Sequence, residues 1–190
     1  CNFACPAGEN VQNWLYIAED GSYEKAWRAL IQENPFPAVM GRVCYHPCQN
    51  ACNRAFLDTA VGINSVERFL GDHALEKGWT IDPPTNLSGF KVLVIGAGPA
   101  GLSAAYHLRR MGHDVVVSDA THAPGGMMRY GIPKYRLPRE VLDAEIDRLL
   151  KTGIQLELNT RVDDIHDAMN EGFDAVFMAV GAQLSKRTYI

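Results

Sequence analysis

The five cysteines are the residues of this chain most suited to chemistry. They form two groups, Cys1-x3-Cys5 and Cys44-x3-Cys48-x3-Cys52. An odd number of cysteines and the absence of a signal-peptide pattern argue against a disulfide framework. A spacing of four brings sulfurs onto one side of a turn or helix, where they can share a metal centre. The cysteines therefore predict a metal site rather than a set of inert thiols.

Two kinds of metal centre fit this pattern. Zinc would accept Cys44, Cys48 and Cys52 with His46 as a fourth ligand, but structural zinc sites usually show short C-x2-C pairs, and this sequence has none. Thiolates gathered from two distant segments fit an iron–sulfur cluster better. A proline beside a cysteine in each segment also stiffens the ligand loops, as in ferredoxins. The sequence thus favours an iron–sulfur cluster, with zinc as the alternative.

The second chemical pattern is the glycine-rich run Gly96-Ala97-Gly98-Pro99-Ala100-Gly101, which lies between a predicted strand and a predicted helix. This is the context of a dinucleotide-binding G-x-G-x-x-G motif. Gly96 would make the tight turn, Gly98 would let a pyrophosphate approach the backbone, and Gly101 would let helix and strand pack closely. Asp119, at the end of the next predicted strand, would accept a hydrogen bond from a ribose hydroxyl.

FAD and NAD share this fingerprint, so the segment that follows must distinguish them. The chain continues through Gly125-Gly126-Met127, an insertion that an NAD-binding fold would not normally carry, and paired glycines permit close approach to a second part of an extended cofactor. No acidic residue lies between Ala120 and Arg139. In this basic stretch Arg136 would face either flavin phosphates or an anionic cluster and raise its affinity for electrons. A solvated surface arginine is the alternative.

Two regions of the chain with different sequence patterns must position these residues. Apolar residues at helical spacing predict helices over 11–18, 23–31 and 66–75, and the segment 41–54 is interpreted as loop with at most a turn or two of helix. After the proline-containing boundary at 82–89, strands are predicted at 91–95, 114–118, 154–158 and 175–180, and helices at 99–110 and 137–151. Strand–helix–strand order with short links predicts a parallel sheet. We therefore expect an α-helical domain over 1–85 and an α/β Rossmann-like domain over 86–190.

Composition excludes several classes of protein. Hydrophobic residues make up 47% and charged residues 21% of the 190 residues, a globular mixture rather than a disordered one. The net charge of −4 argues against nucleic-acid binding. No stretch reaches the roughly 18–20 apolar residues of a membrane helix, and no signal segment is present, so we expect a cytoplasmic protein. A chain that begins at a cysteine is expected to be a piece of a longer protein.

The first domain resembles the helical iron–sulfur domain of the glutamate synthase small-subunit family, which also includes dihydropyrimidine dehydrogenase. The matching residues are Cys1-x3-Cys5-Pro6, Asn34-Pro35, Gly41-Arg42-Val43-Cys44, Cys48, Cys52 and the run from Val61 to Phe69. Two [4Fe–4S] clusters are typical of that family. The resemblance implies that one cluster is held by Cys5, Cys44, Cys48 and a side-chain oxygen of Glu67. Cys1 and Cys52 would belong to the second, for which this sequence lacks the remaining ligands.

Glu67 has a structural alternative. Asn64-Ser65-Val66-Glu67 fits a capping box, in which Asn64 caps a helix and Glu67 reaches back to its backbone. The sequence leaves open whether Glu67 ligates iron or caps the helix.

The second domain also matches this family. Its glycine pair and its G-I-P-x-x-R-L-P signature, here 131–138, contact FAD in family members. The resemblance further implies that Ala179–Ala182, including Gly181, is a second flavin-contacting turn. It also implies that the backbone of Val162 contacts the adenine of FAD and that Arg136 lies between the flavin and the cluster.

The activity implied by the resemblance is that of an NAD(P)H-dependent oxidoreductase. NAD(P)H would give a hydride to FAD, and single electrons would pass through the cluster to an electron-accepting partner subunit in a hetero-oligomer. No second G-x-G-x-x-G is found, so the nicotinamide site is expected in a part of the protein outside this chain. Two alternatives remain, an NAD(P)-dependent dehydrogenase with a structural zinc and a non-catalytic assembly subunit that retains the fold.

Overall fold

The computed structural model describes residues 1–182. The chain divides into two compact units. The first contains Cys1–Thr80 and Pro133–Glu145, and the second contains Ile81–Ile132 and the chain from Ile146 onward. The first unit is helical and the second is α/β, which is the fold class predicted from the sequence.

The first unit is assembled from short helices around one apolar core. The helices are α1 (Val11–Glu19), α2 (Tyr23–Leu30), α3 (Pro37–Val43), α4 (Pro47–Asn50) and α5 (Ile63–Glu76), with 3₁₀ turns at Asn2–Ala4 and Asn53–Phe56. Trp14, Leu30 and Leu70 are buried in the core, and the side chain of Cys48 packs among them. Because apolar side chains recur at helical spacing, each of these helices buries one face.

The helices of the first unit differ from the prediction most clearly at α3 and α5. α3 was not expected, because the prolines at 35 and 37 indicate a helix stop, but Pro37 is the first residue of a new helix, where its missing N–H costs nothing. α5 begins at Ile63 rather than near residue 66, with Gly62 as its N-cap residue and no side-chain cap. No helix in the described residues is long and apolar enough to cross a membrane.

The second unit contains a parallel sheet. Its strands are β1 (Lys91–Ile95), β2 (Asp114–Asp119), β3 (Gln155–Leu158) and β4 (Ala175–Met178), in the order β3-β2-β1-β4. Its helices are α6 (Pro99–Arg110), α7 (Met127–Tyr130) and α9 (Ile165–Asn170), and α8 (Arg139–Leu150) is divided between the two units at Glu145. β1 and β2 are apolar over most of their length and almost entirely buried, as expected for the central strands of a parallel sheet.

The segment from Pro133 to Glu145 belongs to the first unit, whereas the predicted division at residues 85 and 86 assigned it to the second. Glu145 gives a physical reason. Its side chain is fully buried, and its two carboxylate oxygens accept hydrogen bonds from the backbone N–H groups of Ala38 at 3.1 Å and Val39 at 3.0 Å. A carboxylate there satisfies two amides at the start of α3 that have no partner within the helix.

Candidate iron–sulfur and dinucleotide sites

The two cysteine segments meet in the first unit. The 3₁₀ turn Asn2–Ala4, which separates Cys1 from Cys5, packs against α4, which carries Cys48. Cys1 and Cys5 are half-buried and contact the same core as Cys48. All five cysteines lie in the described residues and are free thiols. The structure therefore brings together cysteines that are about forty residues apart in the sequence.

One set of thiols is electrostatically linked to Glu67. Burial, and to a smaller extent the like charges of Cys5, Cys44 and Glu67, together raise the pKa of the Cys48 thiol to about 11. Burial also raises the pKa of Cys44, which is influenced in the same direction by Glu67, Cys5 and Glu9. Without a cation these thiols are protonated at neutral pH, whereas a bound metal would deprotonate them.

Cys52 has a different environment. Backbone N–H groups of Val61, Arg54 and Ala55 donate hydrogen bonds to its sulfur and lower its pKa. Amide N–H groups directed at a sulfur are among the contacts that tune iron–sulfur centres. The thiols thus fall into two sets by environment, with Cys44 and Cys48 in one and Cys52 in the other, and their assignment to two clusters stays a prediction.

The donor set fits an iron–sulfur cluster better than zinc. Within residues 1–182, no three His, Cys, Asp or Glu side chains are arranged to hold a single metal ion. His46, the fourth ligand of the zinc alternative, has Nδ1 2.9 Å from the carbonyl oxygen of Cys44 and Nε2 in contact with the carboxylate of Glu67. A cluster needs no single-ion geometry, because its own irons and sulfides lie between the cysteine sulfurs. Soft thiolate donors are also those that iron–sulfur clusters take.

The side chain of Glu67 is buried among polar side chains and is not hydrogen-bonded to the backbone at the start of α5. Its Oε1 accepts a hydrogen bond of 2.7 Å from Nδ2 of Asn34, and its Oε2 contacts Nε2 of His46. The capping-box alternative is wrong, because α5 begins at Ile63 and Asn64 lies inside the helix. The Nδ2 of Asn64 donates instead to the carbonyl oxygen of Gly41 at 3.0 Å. Iron ligation by Glu67 stays a prediction.

Glu9 makes the stability of the first unit depend on pH. Burial and the neighbouring charge of Glu67 raise its pKa to about 7, although hydrogen bonds from Asn34 and Trp14 act in the opposite direction. The folded state then holds the proton more tightly than the unfolded state, so the free energy of unfolding falls as pH rises from the ordinary carboxyl range to 7. A shift of this size corresponds to about 3 kcal/mol.

We expect Glu9→Gln to flatten this decline in chemical denaturation curves measured at a series of pH values. Glu33→Gln is the matched control, because Glu33 is exposed on the same unit. A decline in Glu9→Gln as steep as that of the unmodified protein would contradict the assignment.

The strand–turn–helix arrangement predicted around the glycine motif is confirmed. β1 ends at Ile95, and α6 begins at Pro99 with Gly98 as its N-cap residue. A Cβ atom on Gly101 would lie 1.8 Å from the carbonyl oxygen of Gly96, which is the close packing that this position was expected to require. Free N–H groups at the start of α6 form the kind of site that binds phosphate.

The glycine pair packs against this turn. Gly125 donates a backbone hydrogen bond of 2.7 Å to the carbonyl oxygen of Ala97. A Cβ atom on Gly126 would lie 2.7 Å from the Cα atom of Gly98, so a larger residue would push the two loops apart. The glycine pair is in close contact with the backbone of the glycine turn, and its predicted approach to a cofactor stays a prediction. Met127 follows as the first residue of α7 and is largely exposed.

Asp119 lies at the end of β2 and contacts the glycine turn directly. Its Oδ2 accepts a hydrogen bond of 2.6 Å from the N–H of Ala97, and its Oδ1 accepts from the N–H of Thr121 at 2.7 Å and from its hydroxyl at 2.6 Å. Burial would raise the pKa of Asp119, but these hydrogen bonds lower it below the ordinary value. Thr121 was not among the predicted site residues, although a threonine two residues after an aspartate is a recognisable turn signal.

The remaining predicted cofactor contacts lie in different places. Ala179 donates a backbone hydrogen bond of 2.8 Å to the carbonyl oxygen of Ile95, so the turn that contains Gly181 begins beside the glycine motif. Val162 is half-buried against the core of the sheet. Arg136 belongs to the first unit and is exposed, and its backbone N–H donates to the carbonyl oxygen of Pro133 at 3.0 Å. The predicted place of Arg136 between flavin and cluster stays a prediction.

Both units match known domain families. Residues 1–79 match the model of dihydropyrimidine dehydrogenase domain II, a 4Fe–4S cluster domain, and residues 94–155 match an NAD(P)-binding Rossmann-like domain. The chain is 36% identical, over 98% of its length, to the NADP(+)-dependent formate dehydrogenase subunit beta of Moorella thermoacetica. It is 38% identical to the glutamate synthase [NADPH] small chains of Bacillus subtilis, over 94% of its length, and Escherichia coli, over 98%.

The chain spans 30%, 37% and 41% of the lengths of these three relatives, respectively. Each of the three alignments nevertheless covers both units of the chain. The resemblance predicted from the sequence is therefore confirmed: the chain combines a 4Fe–4S domain of the dihydropyrimidine dehydrogenase type with a Rossmann-like domain, as in the glutamate synthase small-subunit-like family.

Proposed function

We propose that this chain is the cofactor-binding part of an NAD(P)H-dependent flavin and iron–sulfur oxidoreductase that delivers electrons to a partner subunit. The observation that carries the proposal is the packing of the turn between Cys1 and Cys5 against α4, which carries Cys48. This packing gathers thiols from two segments into one unit, while the other unit presents a dinucleotide turn.

The two sets of thiols support a specific division of ligands. In this proposal Cys5, Cys44 and Cys48 hold one [4Fe–4S] cluster, and Glu67 supplies the fourth ligand. The mutual influence of these groups on the pKa values of Cys44 and Cys48 supports their closeness. Cys1 and Cys52 then contribute to a second cluster, and the backbone N–H groups that donate to the sulfur of Cys52 give this thiol surroundings different from those of Cys44 and Cys48.

The second unit would hold FAD. The amides at the start of α6 would bind its pyrophosphate, Asp119 a ribose hydroxyl, and the backbone of Val162 its adenine. When bound, FAD accepts a hydride and releases electrons singly, which is chemistry that the cofactor supplies. The loop of Gly125 and Gly126 favours FAD over NAD, because it packs on the glycine turn and extends the site beyond an NAD fingerprint.

The proposed partner and electron donor rest on the names of the relatives. Three of the relatives are named as the beta subunit of an NADP(+)-dependent enzyme and as small chains of NADPH-linked enzymes, and a further one as an NADH-linked glutamate synthase. We propose, by the same logic, that this protein works in a hetero-oligomer, takes a hydride from NAD(P)H and passes electrons to a larger subunit.

Cofactor analysis of the full-length protein, purified without oxygen, tests this function. We expect bound FAD, iron and acid-labile sulfide, and bleaching of both the flavin and the cluster absorption when NADPH or NADH is added. Cys48→Ser should lose the iron and sulfide of the cluster that Cys48 would ligate but keep FAD, because Cys48 lies in the first unit. Zinc without sulfide, or a preparation without flavin, would contradict the proposal.

Asp119→Asn is expected to weaken FAD binding about tenfold, the cost of roughly one hydrogen bond to a charged group. The Asn amide has only one acceptor oxygen, so its NH₂ group must face an N–H of either Ala97 or Thr121. Quenching of flavin fluorescence on titration of the FAD-depleted full-length protein measures the affinity. Asp147→Asn, at an exposed position of α8, is the control. Equal affinity in both variants would show that Asp119 does not support the turn.

A further inference from the structure

Three buried polar side chains lie around Glu67, the predicted carboxylate ligand. Glu9, Asn34, His46 and Glu67 are 7%, 6%, 4% and 3% exposed, and we call this group the Glu67 network. Neither the sequence motifs nor the proposed function gives a role to Asn34 or Glu9, and His46 entered only as a zinc ligand. Burying so many polar groups is costly unless each is held by specific partners.

Asn34 is held in one orientation. Its Oδ1 accepts a hydrogen bond of 3.0 Å from the backbone N–H of Phe36, so its amide nitrogen must point the other way. That nitrogen donates to Oε1 of Glu67 at 2.7 Å and to Oε1 of Glu9 at 3.1 Å. The second oxygen of Glu9 accepts from Nε1 of Trp14 at 3.2 Å. Asn34 therefore fixes one oxygen of Glu67, and Glu9 braces Asn34.

His46 fixes the other oxygen of Glu67. Its backbone has φ of 49°, a left-handed conformation that is uncommon for a residue other than glycine. Its Nδ1 lies 2.9 Å from the carbonyl oxygen of Cys44 and 2.9 Å from Nδ2 of Asn64, which leaves Nε2 directed at Oε2 of Glu67. The unusual backbone and the contacts at Nδ1 both hold the ring in this direction.

The carboxylate of Glu67 can still bind a metal while it makes these contacts. An ionised carboxylate has about four lone-pair positions, and the two contacts from Asn34 and His46 use one on each oxygen. One position on each oxygen is therefore left for another partner. Partners that orient a ligand in this manner are a regular feature of metal sites.

We propose that Asn34 and His46 are positioning residues that hold the Glu67 carboxylate ready to bind iron, with Glu9 bracing Asn34. This inference rests on the proposed function, since it requires the cluster of Cys5, Cys44 and Cys48. It gives His46 a role other than metal ligation, because Nε2 is directed at Glu67. It also explains why two buried carboxyl groups share one amide donor.

The test follows cluster stability and its electronic signature in the full-length, cluster-loaded protein. We expect His46→Ala and Asn34→Ala to release iron to a chelator 10–100-fold faster than the unmodified protein, the range known for residues that orient metal ligands. We also expect altered g values in the electron paramagnetic resonance spectrum of the reduced cluster. His46→Gln, which keeps an N–H donor, should restore most of both properties. His166→Ala and Asn170→Ala, at exposed positions of α9, are the matched controls.

A double-mutant cycle separates positioning from general destabilisation. If His46 acts through Glu67, the variant with both Glu67→Ala and His46→Ala should release iron no faster than Glu67→Ala. Additive effects in the cycle, or single variants that keep the unmodified release rate and g values, would overturn the inference. A full-length protein that contains no iron or sulfide at all would instead contradict the proposed function, so the two failures are distinguishable.

Discussion

Glu145→Gln is expected to lower the free energy of unfolding of the first unit by about 3 kcal/mol. The carboxylate of Glu145 is fully buried and accepts one hydrogen bond each from the N–H groups of Ala38 and Val39. Glutamine has nearly the same shape but only one acceptor oxygen, so its NH₂ group would face one of these buried donors. The loss is a large fraction of the stability of an ordinary domain.

Tryptophan fluorescence during chemical denaturation measures this effect selectively. The three tryptophans of the chain, Trp14, Trp27 and Trp79, all lie in the first unit. Glu140→Gln is the matched control, because Glu140 is exposed in the first turn of the same helix, α8. Equal denaturation midpoints for the two variants would mean that the buried carboxylate does not stabilise α3.

Gly101→Ala is expected to lower the affinity for FAD more than 100-fold. The added Cβ atom would lie 1.8 Å from the carbonyl oxygen of Gly96 and 3.2 Å from the Cβ of Ala179. The first contact is with backbone and cannot be relieved by rotating a side chain, so α6 must shift away from β1. The amides that would bind the pyrophosphate then move out of position, and a displacement of about 1 Å is enough to impair a preorganised site.

Ser103→Ala on the same helix is the control for this substitution, because it adds no atom and leaves the glycine turn unchanged. The FAD content of the purified full-length protein and titration of added FAD provide the measurement. The iron content should be unaffected, since the cysteines lie in the other unit. Normal FAD content in Gly101→Ala would mean that this turn does not hold the flavin.

In the second unit the local sequence predicted the four strands and α6, but not the short helices α7 and α9. The predicted limits of β1 and α6 are those observed, because apolar residues followed by Gly98 and Pro99 mark both a strand end and a helix start. The prediction from sequence was wrong at α3, because the prolines of Asn34-Pro35-Phe36-Pro37 indicate the end of a helix. The acceptor that completes the start of α3 is Glu145, more than 100 residues away in the sequence, and no local pattern reveals it.

The candidate sites likewise combine features that local sequence predicts with features that depend on distant residues. Cysteine spacing and the resemblance predicted which thiols to examine, and the structure gathers them into one unit. The Glu67 network was not predicted, because its contacts join residues 21 to 33 positions apart along the chain. A histidine, an asparagine and a glutamate at such separations have no periodicity, and only the packed helices show that they meet.

Anomalous X-ray scattering at the iron absorption edge, from crystals of the full-length protein grown without oxygen, tests the central claim most directly. We predict a four-iron peak bounded by the sulfurs of Cys5, Cys44 and Cys48 and by the carboxylate of Glu67. A peak at the zinc edge in its place, or the absence of iron within bonding distance of Cys5, Cys44 and Cys48, would contradict the account.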